Sequence, residues 1–268
     1  MADILISILI YIFGAAIGSF LSVIIYRIHT KQKGIIMGRS ICPSCKKILG
    51  FYDLFPILSY LISRGKCRQC HKPISAHYLF LEIASGLIFL AFYLQFPFYI
   101  SALQSPVSWN ILLNFIFYSI YGTFLLAIFF YDLKYKEIPD LMLFPLMAIA
   151  FIGGLLTGSV SIADMAIALL ISIIIFGGQI LISKGKWLGE GDLYLALGMA
   201  IILGWQKLLL AIGVGYLIGA IICLAVLIRK EAKLKTQIPF APFLVLGTLF
   251  SIFFGGQVIG WYISLLII

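Results

Sequence analysis

The chain reads as long, unbroken apolar runs separated by charged or Pro/Gly-rich stretches. Eight runs can be distinguished, at 4–26, 78–94, 111–130, 141–156, 162–182, 193–203, 208–228 and 240–268. About 20 apolar residues in a helix cross a hydrocarbon core about 30 Å thick. Membrane β-strands are shorter and alternate, so the runs predict an all-α polytopic membrane protein of about eight transmembrane helices. The run 193–203 is short for a crossing, which predicts a short helix or one that begins inside the membrane. The first run has no basic segment ahead of it, only Met1, Ala2 and Asp3, and Arg27, Lys31 and Lys33 follow it at once. An uncleaved span with its N-terminus outside is expected.

Composition agrees: 63% of the 268 residues are apolar and 11% charged, against roughly 45–50% and about 25% in a soluble domain. A soluble globular fold and a disordered chain are both excluded. The net charge of +9 sharpens the topology. With eight crossings and the N-terminus outside, the segments 27–77, 131–140, 183–191 and 229–239 face the cytoplasm and hold 18 of the 19 Lys and Arg residues, Lys207 being the other. That is the sorting the positive-inside rule requires. The predicted layout is a first transmembrane helix at 1–26, a small cytoplasmic domain at 27–77 and a membrane domain at 78–268 in the cell (inner or cytoplasmic) membrane. The bilayer is the expected partner; no motif points to nucleic acid.

The cytoplasmic segment contains Cys42-Pro-Ser-Cys45 and Cys67-Arg-Gln-Cys70. Two such pairs can form knuckles whose thiolates converge on one Zn²⁺. Thiols stay reduced in the cytoplasm, which argues against paired disulfides; a redox or lone-thiol role is the alternative. A site closed by Cys42, Cys45, Cys67 and Cys70 is structural and does not activate water, so reactive groups must lie elsewhere. The carboxylates are few. Asp132 follows directly on the third run, and Asp192, in Gly189-Glu-Gly-Asp192, precedes the sixth, so both fall at one leaflet. If helices three and six are adjacent, the two form the pair an aspartic protease needs, one protonated and one ionised. Gly189 and Gly191 would then form an active-site loop that lets a substrate approach the backbone closely. The alternative is that Asp192 and Asp140 are helix N-caps. Glu82, about one turn into the second span, is a possible functional acid or the partner of a cytoplasmic Arg or Lys.

Several further stretches carry a resemblance. Gly18-Ser-Phe-Leu-Ser-Val-Ile-Ile-Tyr-Arg27, the two cysteine pairs with their flanks, Tyr52-Asp-Leu-Phe-Pro-Ile-Leu-Ser59 and Pro73-Ile-Ser-Ala-His-Tyr78 followed by Glu82 come first. Asp132 with Ile138-Pro-Asp140, Gly189-Glu-Gly-Asp192 and Ile238-Pro-Phe-Ala-Pro-Phe243 complete the ordered set. Together they resemble the type IV prepilin peptidase family, GxGD-type membrane aspartic proteases. The resemblance implies that Asp132 and Asp192 are the catalytic pair and that Asp140 is a cap. It also implies cleavage of the leader from type IV prepilins or pseudopilins after a glycine at the cytoplasmic face. In many members N-methylation of the new terminus from S-adenosylmethionine follows, an activity associated with the cytoplasmic domain. Ser22, His77 and Tyr194 depart from the usual Asn, Arg and Lys, the first two in or beside the part linked to methylation. No S-adenosylmethionine-binding residue is identified by sequence. A competing reading is a proton- or cation-coupled transporter using Glu82, Asp132 and Asp192, and a third is a zinc-bearing scaffold.

Overall fold

The computed structural model describes residues 2–31, 38, 40–42, 44–98, 109–228 and 238–266. The basic stretch that starts at Arg229 lies outside the described residues. Among the described residues, seven helices are long and apolar enough to cross a membrane, as a polytopic membrane protein requires. Their outer faces carry large apolar side chains in the open, such as Ile174, Leu181 and Ile182. Such a surface is tolerated where the surrounding solvent is itself hydrocarbon. The chain forms two compact units, Met1–Phe130 and Tyr131–Ile268.

In the first unit, α1 (Ala2–His29) packs along α3 (Ala76–Gln95), and the short α2 (Leu58–Ile62) lies in the segment between them. α4 (Trp109–Tyr135) follows. The α1–α3 contact is a close backbone approach. A Cβ placed on Gly18 would stand 2.9 Å from both the Leu81 carbonyl oxygen and Glu82 Cα. Lipid gives helices no hydrophobic reason to associate, so small residues that let backbones touch supply the packing energy. Gly18→Leu is therefore expected to cost about 1–3 kcal/mol, read as a lower thermal midpoint of the detergent-solubilised protein. Ile12→Leu on the exposed side of α1 is expected to leave that midpoint unchanged.

The second unit begins in the last turn of α4 and contains α5 (Asp140–Thr157), α6 (Ile162–Ser183), α7 (Glu190–Ile228) and α8 (Ala241–Leu266). Pro139, not Asp140, caps α5; Asp140 is the first helical residue and makes no capping hydrogen bond. α6 carries a π-helical turn at Ile173–Gly177. α7 has 39 residues, about 58 Å if straight, far more than one crossing needs. It breaks at Gly204, whose φ of 69° and ψ of 174° are non-helical and are open to glycine without a Cβ penalty.

The chain reverses at this break. Asp192 and Tyr216 interact electrostatically, although a straight helix would hold them about 36 Å apart. Beyond it, the second arm of α7 runs antiparallel to α8: the Ser251 hydroxyl donates to the Lys207 carbonyl at 2.7 Å, and Gly215 lies against the Phe243 carbonyl. The runs 193–203 and 208–228 thus appear as the two arms of one broken helix, the first arm starting at Glu190.

Candidate active site

Asp132 sits in the last turn of α4 and is 5% exposed. The N–H of Ala241, the first residue of α8, donates to its carboxylate. A helix N-terminus has unpaired N–H groups and the positive end of the helix dipole, so α8 offers this carboxylate both. Asp192 is the third residue of α7. Its carboxylate accepts the Gly189 N–H at 3.2 Å, and its own N–H donates to the Gly189 carbonyl at 3.2 Å. This is the acidic half of a capping box, so Asp192 serves the helix start from inside the first turn and not as the N-cap itself. The two aspartates, each held at a helix N-terminus, are near enough for their charges to interact.

Gly191 explains how the two motifs meet. A Cβ there would lie 3.2 Å from Ile138 Cβ, so the absence of a side chain lets the turn before α7 lie against the Ile138-Pro-Asp140 stretch. Sequence reasoning passed over Tyr216 and Gln179. The Tyr216 hydroxyl donates to Gln179 Oε1 at 2.9 Å, and its ring centroid lies 5.1 Å from that of Phe240 and 6.4 Å from that of Phe176 in the π turn. The available signal was an uncharged polar side chain isolated in an apolar run, which a search confined to carboxylates overlooks.

In the first unit, the thiols of Cys42, Cys45, Cys67 and Cys70 lie within 4.8 Å of one another, with Cys42 and Cys70 Sγ 3.9 Å apart. Sulfurs at about 2.3 Å from a tetrahedral ion stand about 3.8 Å apart. Each pair opens the same knuckle. The Lys46 N–H donates to the Cys42 carbonyl at 2.8 Å and the Cys42 N–H to the Lys47 carbonyl at 2.9 Å; His71, Cys67 and Lys72 repeat the pattern at 2.9 and 3.0 Å. Lys46 and His71 take matching left-handed φ values of 56° and 54°. The N–H groups of Cys70 and then Gln69 point at the Cys67 sulfur and hold its pKa at about 6. At Cys70 the Lys72 N–H acts in the same direction, but burial and the neighbouring thiols outweigh it and raise the value to about 11. The four thiols form a candidate metal centre.

Glu82 faces a cavity of about 390 Å³ in the same unit, whose lining includes Ser19, Arg27, Asp53, Tyr60 and Tyr78. Its carboxylate accepts the Ile57 N–H at 2.7 Å and a hydrogen bond from Ser19. No Arg or Lys among the described residues pairs with it. Ile57 is held at φ 64°, ψ −53°, and the Leu58 N–H donates to the Pro56 carbonyl, which together make the strained form of γ-turn. The carboxylate therefore fastens an unfavourable backbone turn to the start of α3.

Helices of membrane-crossing length, a buried aspartate within range of a second one's charge, and a four-thiol centre define a polytopic membrane protein with groups that an aspartic peptidase could use. Comparison with known families agrees. The model of the bacterial peptidase A24 N-terminal domain matches residues 12–96, and that of the type IV leader peptidase family matches residues 119–224. The chain belongs to this family and is an aspartic peptidase. It is 26% identical to the prepilin leader peptidase/N-methyltransferase of Aeromonas hydrophila, over 96% of this chain and 93% of the relative. The proteins of the same description from Legionella pneumophila and Bacillus subtilis are 29% and 28% identical, over 94% and 96% of this chain and 93% and 98% of theirs. No solved structure matches the chain.

Proposed function

We propose that this enzyme removes the leader peptide from type IV prepilins or pseudopilins by cleaving after a glycine at the cytoplasmic membrane face, with Asp132 and Asp192 as the catalytic pair. The observation that supports the reading is that these two carboxylates, at the N-termini of α8 and α7, lie within range of each other's charge. Two facing carboxylates do not readily both ionise. The ionised one takes a proton from water as the water oxygen attacks the scissile carbonyl. The protonated one hydrogen-bonds to the carbonyl oxygen, and the carboxyl that took the proton from water passes it to the departing amine as the C–N bond breaks. Gly189 and Gly191 keep the approach to Asp192 free of side chains. The two arms of α7 count as two crossings, giving eight with the N-terminus outside; 27–77 is then the cytoplasmic domain and 78–268 the peptidase domain.

The thiol spacing fits Zn²⁺, which in a closed Cys42, Cys45, Cys67 and Cys70 site supplies structural cross-linking only. The cavity beside it fits S-adenosylmethionine, which supplies an electrophilic methyl group for the new N-terminus. That molecule carries a diol and cationic groups that carboxylates bind, a carboxylate for a guanidinium, and a flat base for aromatic rings. Glu82 and Asp53, Arg27, and Tyr60 and Tyr78 are the corresponding residues of the lining. The test is mass spectrometry of a co-expressed prepilin. The expected spectrum shows the mature chain without its leader and heavier by one methyl group. Unprocessed prepilin beside correctly inserted enzyme overturns the peptidase substrate, and a mature chain without the added mass overturns the methylation alone.

A further inference from the structure

Among the described residues, α6 and the second arm of α7 share one polar contact, and it lies within range of the charge of Asp192. Tyr216 donates its hydroxyl to Gln179 Oε1 at 2.9 Å and interacts electrostatically with Asp192. The phenol is fixed by its neighbours as well as by that bond, its ring lying between Phe240, beside Ala241 at the start of α8, and Phe176. Phe176 is fully buried and belongs to the π turn that immediately precedes Gly178 and Gln179. π turns interrupt the regular hydrogen-bond ladder and are frequent at functional sites.

The hydrogen bond uses one acceptor of Gln179 and leaves its carboxamide nitrogen, with two N–H donors, without a partner among the described residues. A half-buried amide donor in a membrane-spanning helix is costly unless something accepts from it. An extended peptide main chain brings such acceptors, one carbonyl per residue. It must also be drawn out straight past a pair of carboxylates to be cleaved by them.

We propose that Gln179, held in place by Tyr216, binds the main chain of the substrate segment on the Asp192 side of the catalytic pair, making Gln179 a substrate-binding residue and Tyr216 its positioning residue. This inference rests on the reading of Asp132 and Asp192 as the catalytic pair. A contact to substrate main chain is made before and during the reaction alike, so its loss raises KM and leaves kcat nearly unchanged. A merely structural pair, once lost, lowers the active fraction and hence the apparent kcat.

The experiment is steady-state cleavage of a synthetic prepilin in detergent by wild type, Gln179→Met, Tyr216→Phe, the double variant and Asp192→Asn. Met fills the space of Gln without its amide, and Phe preserves the ring packing. Gln179→Met is expected to raise KM about tenfold with kcat within about twofold. Tyr216→Phe is expected to raise KM about threefold, and the double variant to be no worse than Gln179→Met, because the two act as one unit. An unchanged KM in Gln179→Met, an effect confined to kcat, or additive effects in the double variant overturns the proposal. If Asp192→Asn is inactive while Gln179→Met behaves as wild type, only this inference fails. If Asp192→Asn cleaves normally, the catalytic pair is wrong and the inference falls with it. Thermal midpoints of the same preparations identify any variant that has lost its fold, and Tyr216→Phe then decides by its KM.

Discussion

Asp192→Asn and Asp132→Asn are each expected to lower prepilin cleavage at least about a thousandfold, some 4 kcal/mol in barrier height, while the protein folds and inserts normally. Asparagine keeps the shape of the side chain and a carbonyl oxygen. It can still accept the Gly189 N–H at position 192 and the Ala241 N–H at position 132. It cannot take a proton from water or give one to the carbonyl oxygen. An amide also carries no charge to be desolvated in this buried site, so the thermal midpoint should hold or rise, as it often does when an active site is neutralised. Mass spectrometry of the substrate reads the loss, and a melting curve reads the fold. Wild-type turnover by either variant overturns the catalytic pair; a collapsed midpoint shows that the carboxylate is structural. Asp140→Asn is the companion control, since Asp140 makes no capping bond and is expected to be nearly silent.

The membrane-spanning character, the cysteine pairs and both aspartates were legible in the sequence because each rests on a local signal: a run long enough to cross lipid, a two-residue spacing, a charge at the end of an apolar run. What the sequence could not convey is which ends meet. That Asp132 lies under the first N–H of α8 depends on α8 running back along the second arm of α7. That arrangement depends in turn on a reversal at Gly204, a glycine that reads like any other in the run. Asp192 was weighed either as a helix cap or as a catalytic group. In the fold it does capping work from the third helical position, within range of the charge of Asp132, so a capping role does not exclude the proposed catalytic one. Tyr216 and Gln179 were illegible for another reason. Neither is charged, and their significance lies in a contact between helices that no spacing along one helix encodes.

The second large effect concerns the thiols. Cys42→Ser or Cys67→Ser is expected to reduce bound zinc from about one ion per chain to below about a tenth, and to open the segment between α1 and α3 to limited proteolysis. Besides the Ile57–Glu82 bond, the described part of that segment is held by two isolated β-bridges, a single helical turn at Phe51–Asp53, the short α2, and the half-exposed Arg68–Asp53 pair at 3.2 Å. In small metal-dependent folds the metal supplies about 10–16 kcal/mol of apparent binding energy at neutral pH, more than such elements can replace. Metal-free protein from an anaerobic preparation, or a Cys42–Cys45 disulfide in cells, overturns the zinc site.

The break at Gly204 also acts as a ruler. Asp192 and Tyr216 each lie twelve residues from it, so their approach depends on equal lengths of helix between the break and each of the two residues. One residue added to either arm would move its end by about 1.5 Å and turn it by about 100° about the helix axis. A residue inserted between Asp192 and Gly204 must therefore be matched by one between Gly204 and Tyr216 if the two side chains are to stay within reach of each other.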